Sequence, residues 1–244
     1  MKKNNVNISK TEIEIKKNDT RKKGSKAATA GNGVTEMVFI LDRSGSMAGL
    51  VSDTIGGFNG MIEKQKKEEG KALVTTVLFD TQITTLHDRV DLQEVGPMTE
   101  KEYRVGGCTA LLDALGGTIH HVMDIHRYIR PEDVPEHVIF VVTTDGMENS
   151  SREYNADTVR KLVKERRKAG WEFLFLGANI DAVKTGESFG FARENAVNYK
   201  ADSIGTRNVY HCVGKAMASM RSAGAVDECW AEEVAADFEE RGKK

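Results

Sequence analysis

Five apolar residues in a row, Met37, Val38, Phe39, Ile40 and Leu41, run straight into the polar string Asp42-Arg43-Ser44-Gly45-Ser46. A run this short and this uniformly apolar, with β-branched members, fits a strand buried on both faces. That is the situation of a parallel sheet covered by helices on each side. The carboxyl end of such a strand is where an open α/β sheet offers its ligand crevice. Asp42, Ser44 and Ser46 alternate with Arg43 and Gly45, so a tight loop brings their oxygens toward one point. One carboxylate and two hydroxyls together form a donor set for a hard divalent cation.

Comparable runs recur along the chain. Residues 72–79 (ALVTTVLF), 137–143 (HVIFVVT) and 171–176 (WEFLFL) read as buried strands. Residues 83–92 are more alternating and more polar, as an edge strand is, and Asp80-Thr81-Gln82 supplies a hairpin link to the strand before. Between the strands the apolar period changes. Val51, Ile55, Phe58 and Ile62 mark one face of a helix running to about residue 69, where Gly70 stops it. Leu111, Leu112, Leu115, Ile119, Val122 and Met123 do the same for a helix over 110–128. Further helices are predicted over 155–169, 181–188, 203–221 and 225–241, with a weak strand at 196–199. In the last helix Val226, Trp230, Val234 and Phe238 fall at every fourth position, a stripe for docking on a core. The alternation predicts a doubly wound α/β fold: a mostly parallel, Rossmann-like sheet with an antiparallel edge strand and helices on both faces.

With 244 residues, 39 % of them apolar and 30 % charged, the chain has room for one such domain and its appendages. The domain is placed at 34–222, with a helical extension at 223–244 packed on or beside it. Residues 1–33 hold nine Lys/Arg against Glu12, Glu14 and Asp19, an excess of six positive charges on a chain whose net charge is −2. This basic segment reads as a disordered, solubilising tail, or as a contact for nucleic acid, although no aromatics are interleaved to stack on bases. No apolar run approaches the ~20 residues that span a bilayer. The N-terminus is charged from Lys2 and shows no secretory pattern, which suggests a cytoplasmic protein. Cys108, Cys212 and Cys229 are odd in number and form no Cys-x-x-Cys pair, as expected of reduced thiols.

Two further loops share the chemistry of the first. Val105-Gly106-Gly107-Cys108-Thr109 feeds the helix at 110, and the strand at 137–143 ends in Thr144-Asp145-Gly146. In this respect the sequence resembles the von Willebrand factor type A domains of the compact bacterial or phage type. D-R-S-G-S matches the first part of that family's metal-ion-dependent adhesion site, G-G-C-T-A-L the second and V-T-T-D-G-M-E-N the third. The resemblance covers about residues 34–222. It implies that Ser44, Ser46 and Thr109 offer hydroxyl oxygens to the metal, and that Asp42 and Asp145 hold it directly or through water. The ion would be Mg2+ or Mn2+. Mg2+ demands six oxygens in octahedral geometry and keeps some of its waters. Three neutral hydroxyls and two carboxylates leave it electrophilic, to be completed by an Asp or Glu carboxylate of another protein. By this resemblance the chain is a non-enzymatic, metal-dependent protein-binding module. Taken singly, each of these residues also fits a loop cap satisfying backbone N–H groups.

Around the site, Met47, Met147, Glu148 and Asn149 are placed near the mouth as partner contacts. Asp113, four residues after Thr109, is placed to orient the site or to cap its helix. Gly106 and Gly107 read as backbone space or positive φ. The histidines show no ligand spacing relative to the aspartates. The rival reading is a Mg2+-dependent phosphotransferase of the haloacid dehalogenase type, which also begins with an Asp after the first strand. That chemistry needs a second Asp two residues on as general acid, and Ser44 stands there instead. No Gly-x-x-x-x-Gly-Lys-Ser/Thr or Gly-x-Gly-x-x-Gly loop is present for a nucleotide.

Overall fold

The computed structural model describes residues 32–242. The expected tail falls, except for Asn32 and Gly33, outside the described residues. The strands are β1 (Val34–Asp42), β2 (Lys71–Phe79), β3 (Ile83–Asp91), β4 (His137–Thr144), β5 (Glu172–Ala178) and β6 (Ala196–Tyr199). They form one six-stranded sheet in the order β3-β2-β1-β4-β5-β6. Only the β2–β3 pair is antiparallel, and its register shifts around Thr76; the other pairs are parallel. The predicted doubly wound sheet with an antiparallel edge strand is therefore the observed one.

The pleat sorts the apolar run of β1 between two cores. Met37, Phe39 and Leu41 join one cluster, while Val38 and Ile40 join the other. The first cluster is covered by α1 (Val51–Gln65), α5 (Ser203–Ala223) and α6 (Glu232–Gly242). The second is covered by α2 (Leu111–Tyr128), α3 (Ala156–Lys168) and α4 (Ala182–Ser188). A strand flanked by helices on both sides has no solvent face to leave polar, which is why β1 reads as a continuous apolar run.

Two boundaries depart from the spacing. α1 stops at Gln65 rather than near residue 69. The Arg221 guanidinium donates to the carbonyl oxygens of Gln65 (2.5 Å), Glu68 (3.1 Å), Glu69 (3.0 Å) and Gly70 (2.8 Å). These carbonyls turn toward Arg221 instead of extending the helix. The final helix begins at Glu232 rather than 225. Gly224 adopts a left-handed conformation (φ 72°) that ends α5, and the Asp227 carboxylate accepts from the Cys229 N–H at 2.8 Å, folding the intervening residues into turns. Trp230 and Val234 still reach the core, each less than 5 % exposed. Among the described residues no helix is long and apolar enough to cross a membrane.

β1 and β4 lie side by side at the centre of the sheet, and the chain winds away from them in opposite directions. Their carboxyl ends flank the topological switch point, where such folds open their crevice. Asp42 ends β1 and Asp145 directly follows β4.

Candidate metal centre

Asp42 is fully buried at the end of β1. One carboxylate oxygen accepts from the Ser44 N–H at 2.7 Å, and the other accepts from the Thr144 hydroxyl at 2.6 Å. After Ser44 the chain turns through a single stretch of 3-10 helix, Gly45–Leu50. This brings Ser46 Oγ to 3.1 Å from Ser44 Oγ, and it donates to an Asp145 carboxylate oxygen. Thr109 joins from the second loop: a Cβ placed on Gly146 would lie 3.3 Å from Thr109 Oγ1 and 3.5 Å from Ser46 Oγ. The structure thus brings Asp42, Ser44, Ser46, Thr109 and Asp145 into one cluster. Ser46 is exposed while the other four are buried, so the cluster opens to solvent at Ser46.

The three loops are bound to one another through the backbone. The Gly45 N–H donates to the Gly107 carbonyl at 3.2 Å, and the Gly106 N–H donates to the Arg43 carbonyl at 2.9 Å. Gly107 has φ 66°, and an added Cβ would meet Thr81 Oγ1 at 2.7 Å, so glycine is required there. On the other side Thr109 and Asn149 pair reciprocally: the Thr109 N–H donates to Asn149 Oδ1 at 2.9 Å, and the Asn149 N–H donates to the Thr109 carbonyl at 3.1 Å.

Of the surrounding residues, Met47 departs from its expected place at the mouth. Met47 is 2 % exposed and faces the core, because the 3-10 turn rotates it inward. Glu148 is occupied within the protein, accepting from the N–H groups of Leu112, Ser150 and Ser151 and from the Ser151 hydroxyl at 2.8–2.9 Å. Asp113 accepts from three successive N–H groups, those of Arg152, Glu153 and Tyr154, at 2.8–2.9 Å. It therefore fixes the loop after β4 onto the start of α2. Asn149 is held by its exchange with Thr109. Met147, 73 % exposed, and Asn149 are the two of the five that stand in solvent.

Two further residues have a role here: Thr144, which lies inside the V-T-T-D-G-M-E-N stretch, and Tyr103, which belongs to no motif. Thr144 holds the Asp42 carboxylate, and the hydroxyl of the buried Tyr103 donates to the Asp42 backbone carbonyl. Thr144 could be read from strand parity, since Leu41 pairs with Thr143 and so Asp42 lies beside Thr144. Tyr103 leaves only the trace of one aromatic in the charged run Thr99-Glu100-Lys101-Glu102-Tyr103-Arg104.

The charge balance tests whether a cation fits. Burial pushes the Asp42 carboxyl above its ordinary range, partly opposed by the hydrogen bonds from Thr144 and Ser44, and Asp145 adds repulsion. Burial likewise raises Asp145. Among the described residues neither carboxylate has a Lys, Arg or His partner; Arg43, the nearest in sequence, pairs with Asp80 at 3.1 Å. Two buried carboxylates with only hydroxyls and amides around them fit a bound divalent cation. Among the described residues no group of three His, Cys, Asp or Glu is arranged to hold a metal. A cation held here would depend on hydroxyls as much as on carboxylates.

A scan against protein-family models matches none, and a search of curated proteins finds no match. Solved structures do match. Proximal thread matrix protein 1 from the mussel byssus aligns at TM-score 0.53 and 16 % identity, over 76 % of this chain and 46 % of that one. The same mussel protein with a zinc-occupied metal-ion-dependent adhesion site aligns at TM-score 0.52 and 16 % identity, over 77 % and 46 %. A von Willebrand factor type A structure from Catenulispora acidiphila aligns at TM-score 0.54 and 14 % identity, over 76 % and 43 %. The chain spans less than half the length of these structures, and likeness at this identity establishes the fold.

Proposed function

We propose that this chain, which has the von Willebrand factor type A fold, is a metal-dependent protein-binding module of the cytoplasm rather than an enzyme. Asp42, Ser44, Ser46, Thr109 and Asp145 would hold the ion, Mg2+ or Mn2+, and an Asp or Glu carboxylate of a partner protein would complete its coordination. The supporting observation is the convergence of two buried carboxylates from adjacent central strands with three hydroxyls and, among the described residues, no cationic partner. When bound, the ion supplies an electrophilic position for an oxygen ligand. The residues of the chain do the orienting. Thr144 and the Ser44 N–H fix the Asp42 carboxylate, Tyr103 fixes its backbone, and Asn149 fixes Thr109. The zinc in the mussel protein's site belongs to that protein. Here it supports a divalent ion in general.

The phosphotransferase reading fares worse. Its nucleophile would be Asp42, yet both Asp42 oxygens accept hydrogen bonds inside the protein and the residue is 0 % exposed. Ser44 cannot serve as the general acid. The deciding experiment is calorimetric titration of the full chain with Mg2+, Mn2+ and Zn2+, followed by partner capture with and without EDTA, using wild type and Asp42→Ala. Ion binding lost in Asp42→Ala and capture lost in EDTA support the proposal. Capture that survives EDTA, or turnover of a generic phosphate ester with Mg2+, overturns it.

A further inference from the structure

On the face of the sheet that carries the first core cluster, α5 packs between α1 and α6. Between α1 and α5 runs a groove of about 380 Å³, floored by Gly56, Gly57 and Gly60 and walled by Lys64, Arg207 and His211. Glycine weakens a helix interior, so three in one helix of 15 residues call for a reason. Gly57 has one inside the molecule: an added Cβ would fall 2.3 Å from the Tyr210 ring. Gly56 and Gly60 have none, because a Cβ on either meets nothing within 4 Å. Spaced four apart, they present bare backbone on the outer face of α1, a surface a second helix can approach closely.

The fully charged side chains that line the groove are basic, and its His211 wall lies 3.6 Å from Glu233 of α6. Lys64 and Arg207 are exposed and form no ion pair among the described residues, and no acidic side chain lines the groove. Ile204, one turn before Arg207 and Asn208 on α5, is 45 % exposed. On the other flank of α5, helix α6 turns the opposite pattern outward. Glu232, Ala236, Glu239 and Glu240 are exposed at helical spacing, a small residue between acids, while Val234 faces the core.

We propose that this groove receives α6 of a second copy of the chain, giving a two-fold symmetric dimer. With α5 lying between the groove and α6, a two-fold axis passing over α5 exchanges the two. Each acidic α6 is then laid against the other copy's glycine floor between Lys64 and Arg207, and the same patch serves both copies, as an isologous contact requires. The dimer is independent of the metal centre.

The test is sedimentation of the full chain across concentration, with and without EDTA. Wild type is expected to reach the mass of two chains in both conditions, and to weaken as salt rises. A Cβ on Gly60 meets nothing within 4 Å, so Gly60→Leu puts its side chain into the groove; it should keep or raise the wild-type melting temperature and stay a monomer. A Lys64→Glu/Arg207→Glu chain and a Glu232→Lys/Glu239→Lys/Glu240→Lys chain should each dimerise at least about tenfold more weakly, and mixing the two should restore the dimer. A wild-type monomer at chain concentrations near 1 mM overturns the proposal. So does a dimer that Gly60→Leu and both charge reversals leave intact, as would a contact made elsewhere.

Discussion

Glu36 and Asp42 sit on the same strand, six positions apart, and both are 0 % exposed. At the amino end of β1 the Glu36 carboxylate lies 2.5 Å from His126 Nε2 and 3.5 Å from an Arg89 guanidinium nitrogen. Arg89 holds a left-handed backbone conformation (φ 51°), and the His126 ring stands edge-on to Trp171. At the carboxyl end Asp42 has a serine N–H, a threonine hydroxyl and another carboxylate nearby, with no cation from the described residues. Equal burial thus has opposite meanings. The protein itself supplies the counter-charge to Glu36, which makes that end a structural ion cluster. The charge at Asp42 and Asp145 has no counter-charge among the described residues, which is what the proposed ion site requires.

Mutations separate the two ends. The largest effect is expected from Glu36→Ala, which strands Arg89 and His126 in the interior. Urea unfolding should show a loss of about 3–5 kcal/mol, with ion affinity retained in whatever remains folded. A loss below about 1 kcal/mol would break the contrast. Asp42→Asn should do the reverse. The amide can still accept from Ser44 and can donate to Thr144, whose proton then turns to the Gly146 carbonyl 3.1 Å away. Metal-free stability should therefore stay within about 1 kcal/mol of wild type or rise, while calorimetry shows ion affinity down about 100-fold or more, or about 2.7 kcal/mol.

EDTA sharpens the same point. Wild type with the ion at 100 times its dissociation constant should lose about 2.7 kcal/mol of stability on chelation, whereas Asp42→Asn should lose almost none. Equal losses would place the ion elsewhere. Thr144→Val frees the Asp42 carboxylate without removing its charge, and ion affinity should fall about tenfold, a smaller drop than for Asp42→Asn. The mildest change is Tyr103→Phe, which keeps the ring and removes one donor; about 1 kcal/mol of stability should go, with ion affinity changed by less than tenfold.

The fold was legible because its signals are local. A strand covered on both faces must be apolar throughout, and a helix on a sheet must show its stripe, so β1, β2, β4 and α2 could be read within their own residues. The five clustered oxygens were also legible, since each follows a strand or precedes a helix and topology carries strand ends to one edge. What escaped depends on contacts far apart in sequence. Tyr103 reaches Asp42 across 61 positions and Thr144 across 102. The four carbonyls gripped by Arg221 shorten α1 from 151 to 156 positions away. Met47 has no periodic neighbour to reveal which way the 3-10 turn points it. Glu148 and Asn149 read as partner contacts at the mouth and Asp113 as a residue that orients the site or caps its helix; in the fold all three accept from backbone N–H groups.

The lacing of the three loops has a kinetic consequence. Gly45 to Gly107, Gly106 to Arg43, and Thr109 with Asn149 are joined through hydrogen bonds that use none of the five site side chains, so this frame does not depend on the ion. Little of the chain has to move to receive the ion. The slow step of capture then belongs to the ion, in shedding its own water, and Mg2+, which dehydrates reluctantly, should load more slowly than Mn2+. The contrast would appear in stopped-flow traces as a difference between metals at a single, unchanging protein conformation.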